Sequence, residues 1–187
     1  LILASASPRR KELLSHLGIP FEVREFNFSE ELPGSGDPVE IAKHLARSKS
    51  NEVKTRLAKG DLVITADTVV WCDGHLMGKP GSREEATGML RLLSGRTHMV
   101  VTGVCLLSDI SSVTFSSETL VTFKSLSDEE IFYYVDNYKP YDKAGAYGIQ
   151  EWIGYVGVER IEGSYFNVMG LPVQKLYSEI IEFIKNA

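Results

Sequence analysis

The chain has 187 residues, of which 43% are hydrophobic and 24% charged, so it is long enough to bury a core without disulfides or a structural metal. Its two cysteines, Cys72 and Cys105, lie far apart in apolar, strand-like segments, which argues against a disulfide framework or a structural zinc site and favours a reducing compartment. No apolar run approaches the roughly 20 residues that span a membrane, and the net charge of −5 argues against binding to polymeric nucleic acid.

In chain order, the first half of the sequence predicts a short strand, two helices and a longer strand. Ser7 suits the N-cap of the first helix, and Pro8 suits its first helical position. Apolar residues at multiples of four predict one buried face on the second helix, namely Ile41, Leu45, Val53 and Leu57. The predicted elements are a strand at 1–4, a helix at 8–17, an extended segment at 20–26, a loop at 27–37, a helix from Pro38 and a strand at 62–71 that turns at Asp73-Gly74.

The second half predicts two capped helices, a strand pair and a final helix. Ser82 and Ser127 each precede a glutamate by three residues, Glu85 and Glu130, which predicts two capping boxes. The other predicted elements are strands at 99–107 and 113–123, an extended segment at 152–161 and a last helix bearing Leu176, Ile180, Ile181 and Ile184. Because strands and helices do not alternate strictly, we expect an α/β fold with a mixed twisted sheet and flanking helices, forming a single domain over 1–187.

The first segment that could carry chemistry is Ser-Ala-Ser-Pro-Arg-Arg at 5–10, between the first strand and the first helix. Backbone N–H groups at a helix N-terminus favour an anion, and the guanidinium fork of arginine suits phosphate. Residues 1–60 also carry ten Lys/Arg against eight Asp/Glu, on an otherwise acidic chain. A phosphate site is therefore expected here; the alternative is a capped helix with two solvated arginines.

Two further charged residues stand out against their surroundings. Asp67 interrupts the apolar strand at 62–70, where a carboxylate is costly unless it is paired or bound to a metal. The alternative is an Asp on a half-exposed strand face. Lys79, in the turn Met-Gly-Lys-Pro at 77–80, could contact a phosphate as a point charge or could simply be solvated.

The loop at 142–150 contains Gly145 and Gly148, which allow close backbone approach to a ligand. It ends at Gln150, whose amide offers one donor group and one acceptor suited to the edge of a base. The four histidines have no metal-ligand spacing, and His98, at a helix-to-strand turn, is interpreted as structural.

Taken together and in this order, these segments resemble the Maf-like nucleotide pyrophosphatases over essentially the whole chain. The resemblance implies a cytoplasmic enzyme that hydrolyses nucleoside triphosphates between the α and β phosphates. It also implies an elongated, two-lobed fold with a central cleft, related to the inosine triphosphate pyrophosphatases. The matching segments are 3–10 (LASASPRR), 66–70 (ADTVV), 78–80 (GKP), 93–98 (LSGRTH), 142–150 (DKAGAYGIQ) and 170–172 (GLP).

The family resemblance also implies roles for individual residues. Asp67 matches the acidic residue taken as proton acceptor, and it could equally act mainly as a metal ligand. Arg9, Thr68 and Gln150 match positions linked to base preference. The phosphate-site positions correspond to Ser5, Arg10, Lys49 and Lys79.

A divalent cation, Mg²⁺ or Mn²⁺, is expected to assist the reaction. The implied carboxylate ligands are Glu30 and Asp67, with Asp142 as a third candidate; the adjacent Glu31 is an alternative to Glu30. The expected partner is a nucleoside triphosphate substrate, with no polymeric nucleic acid and no membrane, and the resemblance suggests a homodimer.

The combination of Arg9, Thr68 and Gln150 resembles the subgroup that acts on dTTP and UTP. Two alternatives stay open: the sibling subgroup that acts on N7-methyl-GTP, and a nucleotide-binding regulator with little turnover. The chain departs from the usual family pattern at Tyr-Lys-Pro (138–140) and at Glu151-Trp152. Trp152 could stack near the base, which bears on which substrate fits.

Overall fold

The computed structural model describes residues 1–26, 28 and 36–186, which form one mixed, seven-stranded sheet with flanking helices. Most of the predicted loop at 27–37, including Glu30 and Glu31, lies outside the described residues. The strands are β1 (Ile2–Leu3), β2 (Glu22–Val23), β3 (Val63–Cys72), β4 (His75–Met77), β5 (Thr97–Leu107), β6 (Ser112–Phe123) and β7 (Val158–Glu162). Their order in the sheet is β2-β1-β3-β5-β6-β7, with β4 paired to β3.

The described helices begin largely where the sequence predicts them. Ser7, Asp37, Ser82 and Ser127 act as N-caps, and each side chain accepts a hydrogen bond from a backbone N–H of the first turn. The helices are α1 (Pro8–Ser15), α2 (Pro38–Val53), α3 (Arg83–Leu93), α4 (Asp128–Tyr138), α5 (Trp152–Gly157), α6 (Tyr165–Met169) and α7 (Val173–Lys185). No described helix combines the length and apolar character needed to cross a membrane.

The central strand β3 has a gap on one of its edges. β5 runs antiparallel along the other edge, from Val63 to Trp71. On the gapped edge β1 pairs only with Val63 and Ile64, and β4 only with Val70 to Cys72. Residues 65–69 therefore have no strand partner on that side within the described chain, and a cleft opens there.

Two core clusters flank this gap. One packs α3, α4 and the loop at 142–150 around Val70 and Val100, and the other packs α1 and α7 around Ile64 and Val104. Asp67 lies on β3 between the residues that belong to each cluster. The predicted mixed α/β fold and the predicted central cleft are thereby confirmed.

Alternation along β3 assigns its side chains to opposite faces of the sheet. Val69 packs with α2 on one face, while Ile64 and Val70 belong to the clusters on the other face. Gly103 on β5 lets α2 approach closely, since a Cβ there would lie 2.1 Å from the Ala42 carbonyl oxygen. This close approach brings the side chains of α2 near the centre of β3.

Several sequence-based predictions differ from the structure. The segment predicted as extended at 152–161 begins as the helix α5, in which Ile153 is fully buried, and becomes a strand only at Val158. The helix α6 was not predicted. Glu85 accepts a hydrogen bond from the Gly81 N–H at 2.7 Å, so only Ser127 and Glu130 form a reciprocal capping box.

The apolar faces predicted for two helices are also only partly right. Leu57 lies beyond the end of α2, at the end of a short 3-10 turn (Lys54–Arg56). On α7, Leu176 and Ile180 are buried as expected, whereas Ile181 and Ile184 remain exposed.

Candidate active site

A cleft of about 860 Å³ opens at the gap beside β3. Its wall contains all nine predicted site residues that the structure describes. They come from the loop after β1, from α1, α2 and β3, from the turn after β4 and from the loop at 142–150: Ser5, Arg9, Arg10, Lys49, Asp67, Thr68, Lys79, Asp142 and Gln150. Glu30 lies outside the described residues, so its predicted metal-binding role stays a prediction.

The loop after β1 is held in place by its own serines. The Ser7 N–H donates to Ser5 Oγ at 3.2 Å, and the Arg10 N–H donates to Ser7 Oγ at 3.5 Å. Because β1 and β3 are parallel, this loop leaves the sheet at the same end as Asp67. The predicted phosphate segment and the predicted acid therefore lie at one edge of the cleft.

Asp67 forms an ion pair with a lysine that belongs to the buried stripe of α2. Lys49 Nζ lies 2.6 Å from Asp67 Oδ2, and the Thr68 N–H donates to Asp67 Oδ1 at 2.8 Å. Only 7% of Lys49 is exposed, and it shares the four-residue spacing of Leu45 and Val53. A lysine in an apolar stripe is a sequence signal for a buried ion pair.

Thr68 faces away from α2 and contacts Arg10, the second arginine of the predicted phosphate segment. Arg10 Nη2 donates to Thr68 Oγ1 at 3.2 Å, and Arg10 Nε donates to the Gly170 carbonyl oxygen at 2.9 Å. Gly170 has φ = +117°, a conformation that strains other residues. This requirement explains the glycine of the GLP segment, which aims its carbonyl at Arg10.

Asp142 bridges two cations, one of which the sequence reasoning missed. Arg9 Nη1 donates to Asp142 Oδ2 at 2.7 Å, and Lys143 Nζ donates to Asp142 Oδ1 at 2.7 Å. Burial alone would raise the pKa of Asp142, but the hydrogen bonds from Lys143 and Arg9 outweigh that effect and hold the pKa at about 2. Asp142 is therefore ionised at neutral pH, and each of its oxygens accepts a hydrogen bond from a cation; its predicted role as a metal ligand stays a prediction.

Lys143 also reaches toward the end of the predicted base-reading loop. Its Nζ lies 3.0 Å from Glu151 Oε1, and only 7% of the residue is exposed. Glu151 in turn accepts a hydrogen bond from the Tyr134 hydroxyl, which accepts one from the Gly148 N–H at 3.0 Å. These contacts tie the loop at 142–150 to α4 and fix its path past the cleft.

Gln150 carries a buried acceptor with no partner among the described residues. Its Oε1 is shielded from solvent and accepts no hydrogen bond there, although the residue lines the cleft. An unsatisfied buried carbonyl is costly, so a ligand that donates to it would remove that cost. In the same loop, the Gly145 N–H donates to the Gly78 carbonyl oxygen at 3.1 Å, which links this loop to the turn bearing Lys79.

His98 and Trp152 do not line the cleft. His98 is 2% exposed, lies 2.8 Å from the Tyr147 hydroxyl through Nε2, and has its pKa lowered to about 4 by burial. Burial also raises the pKa of Tyr147. Trp152 packs against Tyr133, with ring centroids 4.8 Å apart. His98 is thus a neutral core residue, and Trp152 does not stack in the cleft.

The described wall of the cleft carries an excess of positive charge although the chain as a whole is acidic. Among the described residues, five cationic side chains line the cleft, Arg9, Arg10, Lys49, Lys79 and Lys143, against three acidic ones, Asp67, Glu85 and Asp142. A concave site with an excess of cations concentrates anions. The cationic side chains of the cleft thus suit a polyphosphate.

The carboxylates of the cleft suit a divalent cation that is held jointly by protein and substrate. The described residues contain no group of three or more His, Cys, Asp or Glu side chains placed to hold a metal. Asp67 accepts one hydrogen bond on each oxygen, and a carboxylate keeps further lone pairs. Mg²⁺ commonly uses one or two carboxylates together with substrate phosphates and water, so Asp67 fits such a mode.

Comparisons with known proteins show one family likeness along nearly the whole chain. The model of the Maf-like protein family matches residues 1–183. A protein of Parabacteroides distasonis named dTTP/UTP pyrophosphatase is 56% identical over 98% of this chain and 95% of its own length. One of Flavobacterium johnsoniae with the same name is 45% identical, over 98% and 95%. The solved structure of a nucleoside-triphosphatase / dITP/XTP pyrophosphatase from Mycobacterium abscessus aligns with a TM-score of 0.42 at 19% identity, covering 67% of this chain and 74% of that chain.

Proposed function

Since the chain belongs to the Maf-like protein family, we propose that it is a nucleoside triphosphate pyrophosphatase that converts dTTP and UTP to the monophosphate and pyrophosphate. The near full-length similarity to relatives named for that activity supports the substrate class. The observation that carries the proposal is the placement of Asp67 in a cleft whose described wall includes five cationic side chains. A triphosphate brings about four negative charges, which such a cleft can neutralise.

The proposed phosphate contacts come from four places around the cleft. Arg10 and Ser5 act from the loop after β1 and the start of α1, Lys49 from α2, and Lys79 from the turn after β4. Cations on several sides can hold the triphosphate in line and neutralise charge that develops on the leaving pyrophosphate. No covalent intermediate is needed, because positioning and charge neutralisation suffice.

Asp67 is the proposed base that orients or deprotonates the attacking water. Its contact with Lys49 Nζ at 2.6 Å holds the carboxylate in place in the cleft, where it can accept a proton from water. A bound Mg²⁺ or Mn²⁺ would supply Lewis-acid polarisation of the phosphate oxygens. Asp67 would hold that cation, and Glu30 stays a predicted second ligand.

We assign Asp142 to a different role from the metal ligand predicted from sequence. Arg9 and Lys143 each donate to one of its oxygens, so it orients Arg9 in the wall of the cleft. Arg9 is one of the residues that the family resemblance links to base preference. Both oxygens of Asp142 face a cation, whereas Asp67 faces one cation and one neutral N–H, so Asp67 is the better placed of the two to hold a metal ion.

Gln150 is the proposed base reader. Thymine and uracil present an N–H between two carbonyl oxygens, so a carboxamide can accept from the N–H and donate to a neighbouring carbonyl. The unpartnered buried Oε1 of Gln150 is the acceptor this arrangement needs. Because Trp152 packs on Tyr133 away from the cleft, it offers no stacking surface for a larger methylated purine there.

The test is a panel of dTTP, UTP, CTP, GTP and N7-methyl-GTP with Mg²⁺ or Mn²⁺, measured by pyrophosphate release. We expect dTTP and UTP to have the highest kcat/KM, and chelation by EDTA to abolish turnover until the metal is restored. A preference for N7-methyl-GTP would contradict the assigned substrates. Binding of UTP without release of pyrophosphate would instead indicate a regulator.

Two further properties are proposed with this function. Both cysteines are free and buried, which supports an enzyme of the reducing cytoplasm. A homodimer is the assembly that the family resemblance suggests. Sedimentation velocity over a range of concentrations tests it directly, since a monomer at every concentration would contradict it.

A further inference from the structure

A buried threonine on β5 contacts the proposed phosphate site from behind. Thr102 is fully buried and pairs in register with Thr68 on β3, and their Oγ1 atoms lie 2.9 Å apart. Its hydroxyl also donates to the Asn167 backbone carbonyl at 3.0 Å. None of the motifs singled out in the sequence includes Thr102, and it does not line the cleft.

The donor and acceptor of each hydrogen bond between Arg10, Thr68, Thr102 and the Asn167 carbonyl follow from the chemistry of the groups. A carbonyl oxygen can only accept and a guanidinium can only donate. Because the single hydroxyl proton of Thr102 goes to the Asn167 carbonyl, the Thr68 hydroxyl must donate to Thr102. Thr68 Oγ1 is then left as an acceptor, and Arg10 Nη2 donates to it at 3.2 Å.

Asn167, at the far end of this series of hydrogen bonds, is held by several contacts. Asn167 is fully buried on α6, and its Nδ2 donates to the Val100 carbonyl at 3.1 Å and to Thr119 Oγ1 at 3.0 Å. Its own N–H donates to Ser164 Oγ at 3.3 Å. A fixed carbonyl at one end and a guanidinium at the other allow only one orientation of the two hydroxyls between them.

We propose that Thr102 is a positioning residue for Arg10, acting through Thr68, and this rests on the proposed function in which Arg10 binds the triphosphate. Arg10 Nε donates to the Gly170 carbonyl oxygen, and the bond to Thr68 is a further fixed contact that helps to set the plane of the guanidinium. The Thr68 proton is spent on Thr102, so Thr68 acts as an acceptor for Arg10 and not as a donor to a base.

The decisive variant is Thr102→Val, which keeps the shape of the side chain and removes both hydrogen bonds. Without Thr102 the Thr68 hydroxyl is free to rotate and no longer presents a fixed acceptor to Arg10, so the hydrogen bond to this charged group is weakened. We therefore expect KM for UTP and dTTP to rise roughly tenfold, with a much smaller change in kcat. The effect should be the same for every base, because the phosphates are affected. Thr102→Ser restores the hydroxyl and should restore KM.

Thr65→Val is the matched control. Thr65 is also fully buried on β3 and its hydroxyl donates to the Ala46 carbonyl at 2.7 Å, but the side chain faces α2. The Thr65→Val variant should lose as much stability as Thr102→Val while its KM stays unchanged. In an Arg10→Ala background, Thr102→Val should have no further effect on KM if it acts through Arg10.

Binding of inorganic tripolyphosphate, measured by calorimetry, gives a readout that does not require turnover. A roughly tenfold weaker Kd for Thr102→Val supports the proposal even if the parent hydrolyses no UTP, so failure of the proposed function and failure of this inference are distinguishable. If Thr102→Val does not fold, Thr68→Val takes its place, and it must weaken the binding of tripolyphosphate roughly tenfold for the proposal to stand. An unchanged Kd, an equal loss in Thr65→Val, or a further loss in the Arg10→Ala background overturns it.

Discussion

Replacing Asp67 by asparagine removes one charge from the centre of the cleft while keeping the size of the side chain. The amide cannot accept a proton from water as a carboxylate does, and it leaves the ammonium of Lys49 without its counter-ion at 2.6 Å. Two effects are therefore expected, one on catalysis and one on stability. Loss of a catalytic acid or base commonly costs about 10²–10⁴-fold in rate.

The stability effect follows from the burial of the pair. Breaking a fully buried ion pair by removing one partner costs about 3–5 kcal/mol. The side chain of Asp67 is 22% exposed to the cleft, so solvent can screen the remaining charge, and we expect about 1–2 kcal/mol. For a chain of this length that corresponds to a fall in Tm of about 2–8 °C.

Steady-state kinetics with UTP and thermal unfolding separate the two effects when Asp67→Asn is compared with the double variant Asp67→Asn/Lys49→Gln. The double variant should regain most of the stability because no buried ammonium is left, while kcat stays low. Asp136→Asn is the control, since it breaks an exposed ion pair with Arg83 and should change neither kcat nor Tm appreciably. Near-normal kcat in Asp67→Asn, or recovery of kcat in the double variant, would refute the assignment of Asp67 as base.

The remaining predictions concern phosphate binding, base choice and pH. Lys79→Ala should lower kcat/KM for UTP by about tenfold or more with Tm unchanged, because the residue is exposed and a charge-assisted contact is lost; parental kinetics would misplace the phosphate site. Gln150→Ala should lower the ratio of kcat/KM for UTP over GTP by about tenfold to a hundredfold, and an unchanged ranking on the same panel would remove Gln150 from base selection. Burial holds the pKa of His98 at about 4, below its unfolded value of 6.5, so the unfolded chain binds the extra proton and the stability of the fold decreases as pH drops from about 6.5 to 4. Urea unfolding at pH 7.5 and 4.5 should show a loss of about 2–3 kcal/mol that is absent in His98→Phe and kept in His16→Gln, a variant at an exposed site. Equal pH dependence in the parent and in His98→Phe would contradict this prediction.

The sequence by itself determined the elements whose signals are local. Ser7 with Pro8 and Ser127 with Glu130 mark helix starts through bonds within one turn, and Asp73-Gly74 marks a hairpin because both residues adopt positive φ. Residues with unusual charge for their setting were also visible, because a carboxylate within an apolar strand is costly anywhere. These features need no knowledge of distant parts of the chain.

Other features were decided only by tertiary structure. The segment after Gln150 reads as a strand by residue type, yet the helix α5 forms there, with Ile153 buried and Glu151 held by Tyr134, because packing outweighs weak local preference. The partners of Asp142 depend on the distant Arg9, 133 residues earlier in the chain. Sequence identifies which side chains are costly to bury, but only the fold decides which group satisfies each of them, since hydrogen-bond partners are chosen by position in space.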